Sequence, residues 1–252
     1  MTKQWIKMAA LPVVFGAGLY LGAMTNQSMA AENLTKADVE KIVQEYIMNN
    51  ANVILDSVDQ YQQKTVREKS IGAIRDNVES LTKDSTAPFI GNKDGDITIV
   101  EFFDYNCGYC KKVLPELQKV VAEDKNLKVI FKDYPILGPA SETAAKWSLA
   151  AQRQGKYFEF HKIMMEHKGP IEDATLEKAA KDAGMDVTKA KEDAASADIM
   201  IQIEKNRTLG NQVGVRGTPA FVIEEELMPG AMPAEQLRQK IEELRKAKAE
   251  KK

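Results

Sequence analysis

The chain has 252 residues, 44% apolar and 29% charged, with a formal net charge of −2. That length holds one large domain or one ordinary domain with an appendage, and the near-neutral charge offers no basic field, so no nucleic-acid partner is expected. Two histidines and two cysteines are too few for a multi-ligand zinc site, and neither a metal nor another cofactor is expected.

Residues 1–30 read as a targeting segment. Lys3 and Lys7 form a positive start, Met8 to Met24 is an uncharged and mostly apolar run, and Ser28-Met29-Ala30 puts small residues at a cleavage site. Cleavage after Ala30 is expected, with an uncleaved anchor as the alternative because the run approaches spanning length. Export would put both cysteines in an oxidising compartment, and the mature protein is expected to be soluble in the periplasm.

Residues 31–85 read as a helical arm. Thr35 and Asp38 make a capping-box pattern, and Val39, Ile42, Val43, Tyr46 and Ile47 then recur at helical spacing. After a break at Asn49-Asn50, Val53, Ile54, Val58 and Tyr61 form a second stripe, and Ile71, Ile74, Val78 and Leu81 a third. So short a segment cannot bury these stripes alone. Self-association through residues 33–85 is therefore expected.

Ser85-Thr86-Ala87-Pro88 reads as a linker, followed by turn formers from Gly91 to Asp96. Ile97 to Phe103 is the clearest strand, being β-branched and aromatic. Val113, Leu114, Leu117, Val120 and Val121 mark a helix that Pro115 should kink. Asn126 to Asp133 is a second strand. Residues 141–213 show helical patterns and no convincing strand. Gly217 to Ile223 returns to strand, Leu227 to Met232 forms its hairpin partner, and Pro233 stands at the first position of a last helix. The hairpin turn falls on Glu224-Glu225-Glu226, where glycine or asparagine is usual. Arg245, Lys246, Lys248, Lys251 and Lys252 read as charges complementing the end of that helix. The order of elements implies α/β layering.

Both cysteines, Cys107 and Cys110, lie three positions apart between the first strand and its helix. A structural staple is a poor explanation, since closing so small a loop contributes about 2 kcal/mol against about 4.7 for a 100-residue loop. Copper(I) binding by the two sulfurs, helped by Met164, Met165 or Met200, is a second alternative. Redox chemistry is the favoured one. Cys107, nearest the helix start, should be exposed, acidic and nucleophilic, and Cys110, one turn in, should resolve the mixed disulfide. Glu101 lies six residues before Cys107, so strand alternation puts it on the face of Phe103 and Tyr105. A buried carboxylate there could relay the proton of the resolving thiol. His161 and His167, six apart on a helical stretch, read as packing or surface residues.

The run Glu101-Phe102-Phe103-Asp104-Tyr105-Asn106-Cys107-Gly108-Tyr109-Cys110, the proline at 115 and the late Gly217-Thr218-Pro219-Ala220-Phe221 resemble the DsbA-like thioredoxin-fold family. The leader, the helical arm and the Cys-Gly-Tyr-Cys centre most resemble its ScsC-like and Com1-like branch. The resemblance implies a thioredoxin domain over residues 86–252 with an all-helical insertion at about 141–213. It implies that Pro219 is a cis-proline beside the cysteines, that Thr218 offers backbone hydrogen bonds to an extended substrate, and that Gly108 and Tyr109 join that surface. Glu101 would be the family's buried acid and Lys132 a charged residue near it. Gly108-Tyr109 departs from the Pro-His centre of strongly oxidising members, which implies a less favoured reduced form. The function implied is a protein disulfide isomerase or reductase acting on disulfide-containing exported proteins, with a membrane redox partner. A monomeric dithiol oxidase is the alternative.

Overall fold

A computed structural model of the chain describes residues 34–250. The targeting segment expected at residues 1–30 lies outside the described residues, as do Lys251 and Lys252. The chain divides into two compact units, the second beginning at Asp56.

In the first unit, Thr35 caps helix α1 (Lys36–Asn49) by the expected reciprocal bonds with Asp38. Asn50 ends it, with its backbone and side-chain nitrogens both bonded to the Tyr46 carbonyl. Helix α2 (Ala51–Asp76) restarts at once. No residue of α1 is buried, and Val39, Ile42, Val43, Tyr46 and Ile47 all face solvent.

The second unit carries a five-stranded sheet in the order β1-β3-β2-β4-β5. Central strand β2 (Ile97–Phe103) runs parallel to β3 (Leu127–Asp133) through a crossover containing helix α4 (Gly108–Glu123), and antiparallel to β4 (Ala220–Ile223). Strand β5 (Glu226–Pro229) closes a hairpin with β4. A strand the sequence reading missed, β1 (Phe89–Gly91), pairs antiparallel with β3 at the edge. Three residues are too few to show a period.

Both faces of β2 and β3 are covered, which is why they read as unbroken apolar runs. On one face Ile97, Ile99, Phe103, Val129 and Phe131 meet α4 and the helical insertion. On the other, Val100, Phe102 and Ile130 pack with Ile74 of α2 and Leu81 of helix α3 (Val78–Thr82). Burying each of those two side chains contributes roughly 1.5–3 kcal/mol, so the end of the helical arm belongs to the sheet core.

The insertion comprises α5 (Pro139–Arg153), α6 (Tyr157–Glu166), α7 (Asp173–Asp182), α8 (Val187–Ala194) and α9 (Ala197–Val213). Residues 141–213 contain no strand, as expected. Helix α9 approaches the sheet so closely that a Cβ on Gly210 would lie 2.6 Å from the Tyr134 ring. The last helix, α10 (Ala234–Glu250), begins one residue later than expected: Pro233 is outside it and its carbonyl accepts the Leu237 N–H. Arg245 is no loose tail charge. It grips Asp96 and Asp124 at 2.7–2.8 Å. The hairpin turn holds Glu224 at φ 55°, the region that favours glycine or asparagine.

Candidate active site

The end of β2 delivers the chain to the cysteines through a stapled turn. One oxygen of Asp104 accepts the Asn106 N–H at 2.7 Å, and the other accepts the N–H groups of Ile136 and Leu137 at 2.8 and 2.9 Å. This carboxylate ties the Cys107 turn to the loop after β3. Sequence reading passed over it, although an aspartate two residues before an asparagine at a strand end is an Asx-turn signal.

Cys107 is the N-cap of α4 and Cys110 lies in its first turn. Pro115 lies within the helix, which continues past it to Glu123. Cys110 is fully buried. Cys107 is only 6% exposed, not open to solvent as expected. Its sulfur lies 3.1 Å from the Thr218 carbonyl oxygen, and the Thr218–Pro219 peptide bond is cis. Tyr109, by contrast, is 64% exposed, with the Lys112 ammonium 5.4 Å from its ring. A Cβ on Gly108 would meet no atom within 4 Å.

Both cysteines carry free thiols in this structure, and their surroundings are opposed. The Cys107 pKa is lowered to about 5, chiefly by the Cys110 thiol donating to its sulfur, with the Thr218 side chain and the backbone N–H groups of Cys110 and Tyr109 adding to it against the cost of burial. Burial pushes the Cys110 thiol far up, beyond ordinary titration. Gly108-Tyr109 brings no charge, yet its backbone supplies one of these donors.

Glu101 is buried on the Phe103 face, as alternation implied. Burial raises its carboxyl to about 8, and the negative charge of Cys107 raises it further within that value. Lys132 is not its neighbour. It pairs with Phe102 in the β2–β3 register, which turns it to the opposite face, where its Nζ bonds Asp84 at 2.7 Å. The carboxyl that does share the Glu101 face is Asp133. His161 is fully buried among aromatic rings, and His167 bonds the Pro170 carbonyl at the surface.

A groove of about 960 Å³ runs beside Thr218 and Pro219, walled by Val66, Arg67, Ile71 and Met228. The later part of α2 thus lines the approach to the cis-proline. Met164 and Met165 are core residues, while Met200 is exposed. Among the described residues no cluster of three or more histidines, cysteines or acidic groups is arranged to hold a metal ion, and no helix is long and apolar enough to cross a membrane.

The sequence model of the DsbA-like thioredoxin domain matches residues 98–242. The chain belongs to that family. Among solved structures it is similar to a thioredoxin-like oxidoreductase from Silicibacter pomeroyi, with 38% identity over 67% of this chain and 97% of that one, at a TM-score of 0.65. A linker-deleted ScsC variant from Proteus mirabilis is 26% identical over 85% of this chain and 98% of its own, at 0.69. The thiol-disulfide exchange protein alpha-DsbA2 of Wolbachia pipientis is 32% identical over 71% and 97%, at 0.66. The curated relatives are often much longer: the chain spans 21% of a sodium/proton antiporter from Salinispora arenicola, at 25% identity over 135 residues.

Proposed function

We propose that this DsbA-like chain is an exported thiol-disulfide oxidoreductase that reduces and reshuffles disulfides in other proteins. What carries the reading is the contrast between two placements: Cys107 caps α4 beside the cis Thr218–Pro219 bond, where its pKa is lowered to about 5, and Cys110 is fully buried one turn in, where burial keeps its thiol protonated.

The Cys107 thiolate attacks one sulfur of a substrate disulfide. A Cys107–substrate bond forms, and the other substrate sulfur leaves as a thiolate. That thiolate can attack another disulfide of the substrate, and the sulfur freed there then attacks the substrate sulfur of the mixed disulfide; a new substrate disulfide forms and Cys107 leaves as a thiolate, which is isomerisation. Otherwise Cys110 gives up its proton and attacks the Cys107 sulfur. The second substrate sulfur then leaves, the Cys107–Cys110 disulfide closes, and the substrate has gained two electrons. Glu101 is the acceptor for the Cys110 proton. While Cys107 is charged, it raises the proton affinity of Glu101. Once Cys107 is tied up in the mixed disulfide, that charge is gone, the affinity falls, and a carboxylate becomes available as the base.

The exposed apolar face of α1 supports assembly of several copies, and an isomerase benefits from facing catalytic domains that hold a misfolded client. A stabilised thiolate also keeps the pair reduced, as that role requires. The same stabilisation makes the disulfide form oxidising, which favours a dithiol oxidase as the second reading. The test is rescue of a scrambled disulfide protein by the full chain, read together with sedimentation mass. Rescue by an oligomer is the expected result. A monomer that introduces disulfides into reduced proteins but cannot rescue scrambled ones overturns the isomerase reading.

A further inference from the structure

Behind the dithiol the interior holds a second carboxyl that the exchange steps above do not use. Asp133 ends β3 on the same sheet face as Glu101. Glu101 pairs with Phe131 and Phe103 pairs with Asp133, which leaves the two acids as diagonal neighbours about 8 Å apart at Cα. Asp133 is 1% exposed, and the groups meeting it come from several elements. Ser148 of α5 approaches one oxygen, and Tyr157 of α6 donates to the other at 3.3 Å. Tyr105, just past β2, interacts with both those hydroxyls and meets His161 Nδ1 at 3.1 Å. His161 Nε2 is buried with no hydrogen-bond partner. Asp104 repels negative charge at Asp133 from the turn after β2.

Counting protons shows which form of Asp133 this arrangement fits. The Ser148 hydroxyl has one proton and two oxygens within reach, Asp133 Oδ1 and the Ala145 carbonyl at 2.8 Å. A backbone carbonyl can only accept. A carboxylate leaves the single Ser148 proton shared between the two oxygens. A carboxylic acid gives each contact its own proton, Ser148 donating to Ala145 and Asp133 donating to Ser148. The Ser148 and Tyr157 hydrogen bonds favour the charged form and burial the neutral one, and burial outweighs them.

We propose that Asp133 is a positioning residue for disulfide exchange: it stores a proton in the dry interior and titrates as a coupled pair with Glu101, setting the pH range in which Glu101 can take the Cys110 proton. The proposal rests on the dithiol reading above. Burial supports it by raising Asp133 to about 7, close to the value of about 8 for Glu101, and both carboxyls act on Tyr105 and Tyr157. Such pairs titrate in shared steps.

Charges about 8–12 Å apart, with an effective dielectric constant near 20, shift one another by roughly 1–1.5 pH units. The test follows the carboxyl carbons of Asp133 and Glu101 by NMR in the full-length reduced chain. Alongside it, the rate at which Cys110 releases a cysteine peptide from Cys107 is measured against pH for the wild type and Asp133→Asn. Expected in the wild type is a two-step Glu101 curve, its later step displaced by the ionisation of Asp133. In Asp133→Asn the Glu101 curve becomes a single step about one unit lower, the rise of the release rate moves with it, and the Cys107 midpoint holds. An Asp133 carbon that titrates in the ordinary carboxylate range overturns the proposal, and this measurement needs no variant to fold. So does a Glu101 curve identical in both proteins. A wild-type chain that forms no mixed disulfide at all overturns the dithiol reading instead, so the two failures are distinct.

Discussion

The opposed environments of the two thiols make a quantitative demand on Cys107. The largest influence lowering its pKa to about 5 is the hydrogen bond from the Cys110 thiol. A hydrogen bond to a charged group contributes roughly 1.5–3 kcal/mol, or about 1–2 pH units. Cys110→Ala should therefore raise the Cys107 midpoint to roughly 6–7, while Cys110→Ser, which keeps a donor, should stay closer to the wild type. Because the Cys110 thiol is pushed beyond ordinary titration, ultraviolet thiolate absorbance of the reduced wild type reports Cys107 alone. The rate of alkylation against pH gives a second measure. The same shift enters stability. The folded value is depressed below the ordinary 9.0, so the contribution is complete above pH 9 and is lost as pH falls through about 5. At pH 7 it amounts to about 3 kcal/mol, which the reduced form should show in chemical denaturation and the oxidised form should not. Equal midpoints for the alanine and serine variants would refute the role given to Cys110. A wild-type midpoint near 9 would refute the whole electrostatic account.

Glu101→Gln should slow release of the mixed disulfide at neutral pH by roughly 10–100-fold, within the range of general base catalysis, with the Cys107 midpoint little changed. Its raised carboxyl favours the fold below pH 4.5, and that advantage is lost as pH rises through about 8; the glutamine variant should therefore gain unfolding free energy over the wild type across that window, about 3 kcal/mol by pH 7. Val43→Asp with Ile47→Asp, on the exposed apolar face of α1, should lower the sedimentation mass while leaving the Cys107 titration intact; unchanged mass would remove α1 from assembly. Tyr109→His puts an imidazolium at an exposed position, where solvent screening limits the fall of the Cys107 midpoint to less than about one unit, and the equilibrium with glutathione should move by less than about 30 mV.

The parts of the site that sequence reading found are those specified locally. The spacing of Cys107 and Cys110, the β-branched strand leading to them and the cap of α1 by Thr35 each depend on neighbours a few residues away, so pattern sufficed. Lys132 went astray because β3 is apolar on both faces, which silences the period-2 signal; only the pairing of Phe102 with Lys132 shows which way the side chain turns. The burial of Cys107 depends on Thr218, 111 residues downstream, and no local pattern carries that. Asp133 read only as the end of a strand and His161 as a packing or surface residue, while Ser148 and Tyr157 drew no notice within the helical stretch. Their meaning exists only after the insertion folds back over the sheet.

The same distinction bears on how the redox centre is judged. The two residues between the cysteines are the most visible part of the motif, and a neutral Gly108-Tyr109 suggests a weakly held thiolate. Yet the groups that hold the Cys107 sulfur are chiefly the Cys110 thiol, the Thr218 side chain and two backbone N–H groups, and all four persist whatever side chain other than proline's stands at 109. Where the donors are buried and the variable side chain is in water, the buried donors dominate, because solvent screens the one and not the others. The reactivity of the pair is then set by how α4 begins and by which loop meets it. What the dithiol works on is governed elsewhere, by the groove that α2 walls beside Pro219.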